Sequence, residues 1–370
     1  MIYFDNAATG GFKPDCVTGA AYAALRNCAN PGRSGHRRSL ACAERVYACR
    51  KAIASFFGAP SPDRVAFTKN CTEALNIAIL GGVGSGGKIV STVAEHNSVL
   101  RPLQYLEDMG TNVELAPLTA DGRIDCARLI SMAQDAKAVI VTLASNVTGI
   151  SPDIAKIKAN IPQDCLLVCD GAQACGHRPI DMTALGIDAL AVAGHKGMLG
   201  IQGSGALVFS ERFNPSPVLF GGTGSESFNL HMPDFYPDRL ESGTLSFPAI
   251  VSLGEGALYL RSRIYENRDR TLYLTNMLID GLSSMRGIRL YSRSNDVGIV
   301  ALTFENMQSE EAAYRLSEEY SVCVRGGLHC APLMHEALGS DGLVRVSLSA
   351  FNSEREVEYF LSAAEKLARE

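Results

Sequence analysis

The sequence predicts an α/β fold: a mainly parallel seven-stranded sheet with helices on both faces, joined to a smaller α+β unit at the C-terminal end. Three observations predict it. Seven short apolar runs alternate with longer helical patterns through the first two thirds of the chain, which is the rhythm of strand–helix units. Several of these runs are apolar throughout instead of alternating, as strands covered on both faces must be. Beyond about residue 287 the rhythm changes to short strands mixed with isolated helices.

In chain order, the strands of the main sheet fall at 64–68, 88–92, 113–117, 137–143, 166–170, 188–193 and 205–209. A helix at 74–80 follows the first of them. The segment Gly84-Ser-Gly-Gly87 precedes a strand, not a helix, and reads as a turn. A Gly- and Pro-rich stretch at 221–248 leads into one long helical pattern at 249–285. Strands at 287–292 and 298–304, a helix at 309–319, strands at 322–325 and 343–349 and a closing helix at 353–369 complete the chain. A closed eight-fold barrel is the rival architecture, but the strand spacings are irregular and the last third abandons the rhythm. The expected division is a large domain at 15–250 and a small α+β domain built from 1–14 and 251–370.

Composition narrows the function. The chain has 370 residues, 46% hydrophobic and 20% charged, and a net charge of -5 with no block of like charge, so nucleic acid is not an expected partner. No apolar run approaches the roughly 18 residues of a membrane span, and the start Met1-Ile-Tyr-Phe-Asp5 has no leader pattern, so no membrane is expected and the expected location is the cytoplasm. Eleven cysteines are scattered through the chain and are expected to be reduced. The closest grouping, Cys165, Cys169 and Cys175, matches no common zinc spacing, and no metal is expected.

In open α/β sheets, ligands collect beyond the carboxyl ends of the strands. Gly194-His195-Lys196-Gly197 follows the run at 189–193. A lysine there is a surface residue unless burial strips its ammonium of water, in which case its pKa falls and it can form an imine. Asp170 ends another run, either capping a helix or partnering a cationic ring nitrogen. Thr72 opens the helix after the first strand, as its cap or as a phosphate ligand. His96 follows the strand at 88–92, either as a structural residue or as one that stacks on a ring or moves protons. Arg325-Gly-Gly-Leu-His329-Cys330 sets a cysteine beside histidine and near arginine, where a thiolate is favoured.

Taken together, these segments resemble the fold-type I pyridoxal 5'-phosphate (PLP) enzymes of the class V aminotransferase superfamily, specifically the group II cysteine desulfurases and selenocysteine lyases. The resemblance is ordered along nearly the whole chain. It runs through Tyr3-Phe-Asp-Asn-Ala-Ala8, Asn30-Pro-Gly-Arg-Ser-Gly-His36, 67–76, Glu95-His96, Ser145-Asn-Val-Thr-Gly149, Asp170-Gly-Ala-Gln173, Gly194-His-Lys196, 325–330 and Arg345.

It implies a large PLP-binding domain, Lys196 as the Schiff-base lysine, Asp170 as the pyridinium partner and His96 as the catalytic imidazole stacked on the ring. Asn146 and Gln173 resemble the groups near the ring hydroxyl, with Asn146 also facing substrate. Cys71, Thr72 and His195 resemble the phosphate cradle, and Thr244 the residue reaching the phosphate of a neighbouring subunit in a homodimer. Arg345 resembles the clamp on the substrate carboxylate, and Cys330 the acceptor that takes sulfur as a persulfide, turning cysteine into alanine.

A sulfur-acceptor protein is a further implied partner. Ala193 stands where the family has a serine, and the loop after Cys330 is one residue short. Cysteine desulfurase and selenocysteine lyase both stay open, as does a β-lyase or transaminase-like enzyme in which Cys330 is incidental.

Overall fold

The computed structural model describes all 370 residues. The chain begins with β1 (Ile2–Tyr3), α1 (Asp15–Arg26) and α2 (Arg37–Phe57), and then builds the main sheet. Its elements are β2 (Val65–Thr68), α3 (Cys71–Asn76), β3 (Lys88–Thr92), α4 (Asn97–Asp108), β4 (Asn112–Ala116), α5 (Cys126–Met132), β5 (Ala138–Thr142), α6 (Ile154–Asn160), β6 (Leu166–Asp170), β7 (Ala189–Ala193) and β8 (Gly205–Phe209). The strand order is β2-β8-β7-β6-β5-β3-β4. Only β8 runs against the others. The seven strands predicted from the sequence are all present, within two residues at each end.

The side-chain period of two divides each central strand between two cores. Val139 and Val141 of β5 join one core and Ile140 the other; Leu190 and Val192 of β7 join the first, Ala189, Ala191 and Ala193 the second. Burial on both faces is why these runs are apolar throughout. The turn at 84–87 has positive φ at Gly84, Gly86 and Gly87, conformations that side chains with a Cβ resist.

The helical pattern at 249–285 is two helices, not one: α7 (Phe247–Arg261) and α8 (Ile264–Ser283), broken at Ser262 and Arg263. The cause is tertiary. α7 packs on α1 and α2, whereas α8 packs on the C-terminal unit. That unit comprises β9 (Ile288–Leu290), β10 (Ile299–Phe304), α9 (Ser309–Tyr320), β11 (Val322–Cys323), α10 (Pro332–Leu338), β12 (Val344–Ser347) and α11 (Glu354–Arg369). β10 is flanked antiparallel by β9 and β12, while β11 pairs in parallel with β1. Phe4 lies in the core of this unit with Leu278, Val300, Val346 and Phe360. No helix is long and apolar enough to cross a membrane.

Candidate active site

Because the strands are parallel, their carboxyl ends deliver side chains to one edge of the sheet. β3 leads to His96, β5 to Asn146, β6 ends on Asp170, and β7 leads to His195 and Lys196. These residues, with Cys71, Thr72 and Gln173 from the large sheet's side and Arg345 from β12, line one solvent-open cleft. Two predicted site residues lie outside its lining. Thr244 is exposed in a separate groove that also contains Lys69 and Ser242. Cys330 is exposed on an adjoining loop, its Sγ 3.8 Å from Nη2 of Arg325, and Arg325 itself lines the cleft.

The loop carrying Lys196 is held tightly. A Cβ on Gly194 would meet Ser204 Oγ at 2.1 Å, and one on Gly197 would meet the Cys175 carbonyl at 2.5 Å, so both flanking positions admit only glycine. The His195 carbonyl accepts from Gly10 N (2.9 Å), Lys13 Nζ (3.1 Å) and Thr9 Oγ1 (3.2 Å). Burial pushes the Lys196 ammonium below the ordinary lysine range, and Asp170 opposes the shift. His195, pushed down to about 4 by burial, is neutral at neutral pH.

Asp170 is 3% exposed. Its Oδ1 accepts from Ala172 N at 2.8 Å and from the Cys71 thiol at 3.4 Å, while Oδ2 receives no protein donor and opens on the cleft. The residues after it form turns, so it caps no helix. Asn70, not Thr72, caps α3, accepting from Glu73 N at 2.9 Å. Thr72 is left free to bond Ser98 Oγ at 2.8 Å, and that hydroxyl lies 3.0 Å from His96 Nδ1.

His96 has a structural duty as well, capping α4 by accepting from Ser98 N at 3.0 Å. Nδ1 is therefore an acceptor, and the neutral ring carries its proton on Nε2. Burial pushes its pKa below the ordinary histidine range.

Arg345 is 1% exposed. Nη1 donates to the Asn146 carbonyl and Nη2 to Asp5 Oδ1, both at 3.0 Å, and buried Nε has no partner. Asn146 Nδ2 and Asn97 N in turn donate to the carbonyls of His329 (2.8 Å) and Cys330 (2.7 Å). These bonds hold two consecutive left-handed residues, His329 at φ 52° and Cys330 at φ 58°, a conformation costing roughly 1–2 kcal/mol for each non-glycine residue.

His329 is not the cation beside Cys330 that its position in sequence suggests. Its ring is buried, with Nε2 3.0 Å from the Leu343 carbonyl, and burial with Arg345 and Arg325 pushes its pKa down to about 2. The cation at Cys330 is Arg325.

Three further residues, given no role by the sequence alone, take part in the site. Asp5 pairs with Arg345, Ser98 joins Thr72 to His96, and fully buried Glu95 accepts from Thr92 Oγ1 (2.7 Å) and Thr142 N (3.0 Å), leaving Oε2 unpartnered. Burial pushes Glu95 up to about 8. Only packing of α4 against α3 brings Ser98 to the cleft, and no local pattern announces it.

An open, mainly parallel sheet with a desolvated lysine and a carboxylate at its strand ends defines the fold-type I class of enzyme. The chain belongs to the aminotransferase class-V family, whose sequence model matches residues 2–360. Members of that family typically depend on PLP. The chain is 32% identical, over 100% of its length and 94% of the relative's, to the "Probable cysteine desulfurase" of Pyrococcus abyssi (strain GE5 / Orsay).

Among solved structures, it is similar to the apo cysteine desulfurase from Thermococcus onnurineus NA1, with TM-score 0.92 and 30% identity over 100% of this chain and 94% of the other. It is also similar to the cysteine desulfurase CsdA (S-sulfonic acid) from Escherichia coli, with TM-score 0.90 and 26% identity over 99% and 94%.

Proposed function

We propose that this chain is a PLP-dependent cysteine desulfurase that converts L-cysteine to L-alanine and passes the sulfur to Cys330. One observation carries the reading: the desolvated Lys196 amine, the unengaged Asp170 Oδ2 and the Arg345 side chain line one cleft, with an exposed thiol at its side. The lining fits the cofactor. Lys196 offers an amine to an aldehyde, Asp170 an acceptor to a pyridinium N–H, and Thr72 and His195 polar groups to a phosphate. His96 offers a flat neutral ring, and Asn146 and Gln173 amides near a ring hydroxyl. Bound there, PLP supplies an electron sink.

The protein's own groups do the rest. Arg345 holds the substrate carboxylate, for which a planar guanidinium is suited. Lys196 Nζ, once free, moves the α-proton. The Cys330 thiolate attacks the substrate sulfur: an S–S bond forms, the Cβ–S bond breaks with its electron pair left on carbon, and a proton completes alanine. The Cys330 persulfide then serves an acceptor protein.

Exposed Thr244, outside this chain's own cleft, supports a homodimer in which it reaches the neighbouring site. The pairing of β1 with β11 supports grouping 1–14 with 251–370 as a small domain beside 15–250. A cytoplasmic location is consistent with the absence of a membrane-spanning helix.

The test is C330A. It should bind PLP as the wild type does but form no persulfide, with alanine production falling at least about 100-fold, within the range expected when a covalent nucleophile is removed. Undiminished alanine and sulfide from C330A would remove Cys330 from the mechanism.

A further inference from the structure

We propose that Cys71 is a positioning residue for Asp170: its thiol donates to Oδ1 and, with the Ala172 amide, leaves Oδ2 alone turned toward the cleft. The functional meaning rests on the cofactor reading above; the geometry does not.

A carboxylate with both oxygens free can rotate about its last bond and offer either oxygen at a range of angles. Two donors on one oxygen remove that freedom, as groups behind a ligating side chain commonly do. Here the donors come from different elements. Ala172 lies just past β6, at 2.8 Å, and Cys71 opens α3, at 3.4 Å.

The start of α3 has little room to shift. A Cβ on Gly205 of β8 would meet the Asn70 carbonyl carbon at 2.7 Å, so the two backbones are already in close contact. Cys71 is 8% exposed, and its sulfur is directed at the carboxylate.

The thiol has to stay protonated to donate. Burial pushes its pKa well above the ordinary cysteine range, and the neighbouring Asp170 carboxylate raises it further, outweighing Lys196. Cys71 and Cys330 thus play opposite parts in one enzyme. The exposed thiol takes sulfur, while the buried one remains S–H and fixes an acid.

The S–H stretching band of Cys71, isolated as the infrared difference between the wild type and C71A, tests the contact without cofactor. It should move to higher wavenumber in D170N, because a neutral amide oxygen accepts more weakly than a carboxylate. An unmoved band overturns the proposal. In the holoenzyme, C71A should weaken PLP binding about threefold to tenfold, the scale of one hydrogen bond, and C71S, which keeps a donor, should recover most of it.

Wild-type affinity in C71A, or C71S as weak as C71A, would overturn the positioning role. A shifted band in a protein that takes up no PLP would uphold the contact while refuting the cofactor reading, so the two failures are distinguishable.

Discussion

At the scale of single residues, the site is governed by which polar atoms are left unengaged. Arg345 donates to Asp5 and Asn146 and leaves its buried Nε without a partner. R345K keeps the charge but loses the fork, so it should raise KM for cysteine about 10- to 100-fold, the equivalent of about 1.5–3 kcal/mol for a charged hydrogen bond. Steady-state kinetics across cysteine concentrations checks this, and an unchanged KM would move the carboxylate elsewhere.

Glu95 makes a second residue-scale prediction. Its carboxyl ionises near 4.5 when unfolded and near 8 when folded. Between those values the folded chain holds a proton that the unfolded chain has lost, so this group's stabilisation is fully present below about pH 4.5. It declines as pH rises to about 8, by at most about 1.4 kcal/mol per pH unit. Gln cannot ionise. The melting temperature of E95Q relative to wild type should therefore climb steadily from about pH 5 to about pH 8, whereas a constant offset would show that Glu95 does not titrate in this window.

At the scale of elements, packing overrides local preference. Gly256 lies inside α7, where helix propensity alone favours Ala by about 1 kcal/mol. A Cβ there would meet the Met198 carbonyl oxygen at 2.0 Å, in the loop that continues from Lys196. G256A should therefore destabilise by about 1–3 kcal/mol, as overpacked cores do, and lower the melting temperature. A raised melting temperature would mean that α7 stands farther from the lysine loop.

The same competition explains what the sequence disclosed. β5, β7 and β8 were legible because all five residues of each are buried on two faces, which leaves a continuous apolar run. The break between α7 and α8 was not, because Ser262 and Arg263 carry no helix-breaking signal and the bend follows from two different packing partners. Asn70 and Thr72 are both plausible caps two residues apart, and only the backbone decides between them. His329 lies next to Cys330 in sequence, but its left-handed backbone and buried ring separate it from the thiol's chemistry.

For the whole molecule, the N-terminal segment ties the two ends of the chain together. Phe4 fills the C-terminal core, Asp5 holds Arg345, and Thr9 and Gly10 hold the His195 carbonyl beside Lys196. Asp5 and Arg345 are 340 residues apart, a separation across which no sequence pattern identifies the partner. Phe4 is fully buried, so F4A should cost about 3–5 kcal/mol, the usual range for truncating a core phenylalanine, read from denaturant midpoints. A cost near zero would detach 1–14 from the small domain.

We hold that the buried Lys196 amine, in the cleft that Asp170 also lines, carries the cofactor. The direct measurement is to load the protein with PLP, reduce it with borohydride and map the added mass by peptide. A visible absorbance band should disappear on reduction, and a single modified peptide should bear the adduct on Lys196. An adduct on another lysine, or none, would contradict this assignment.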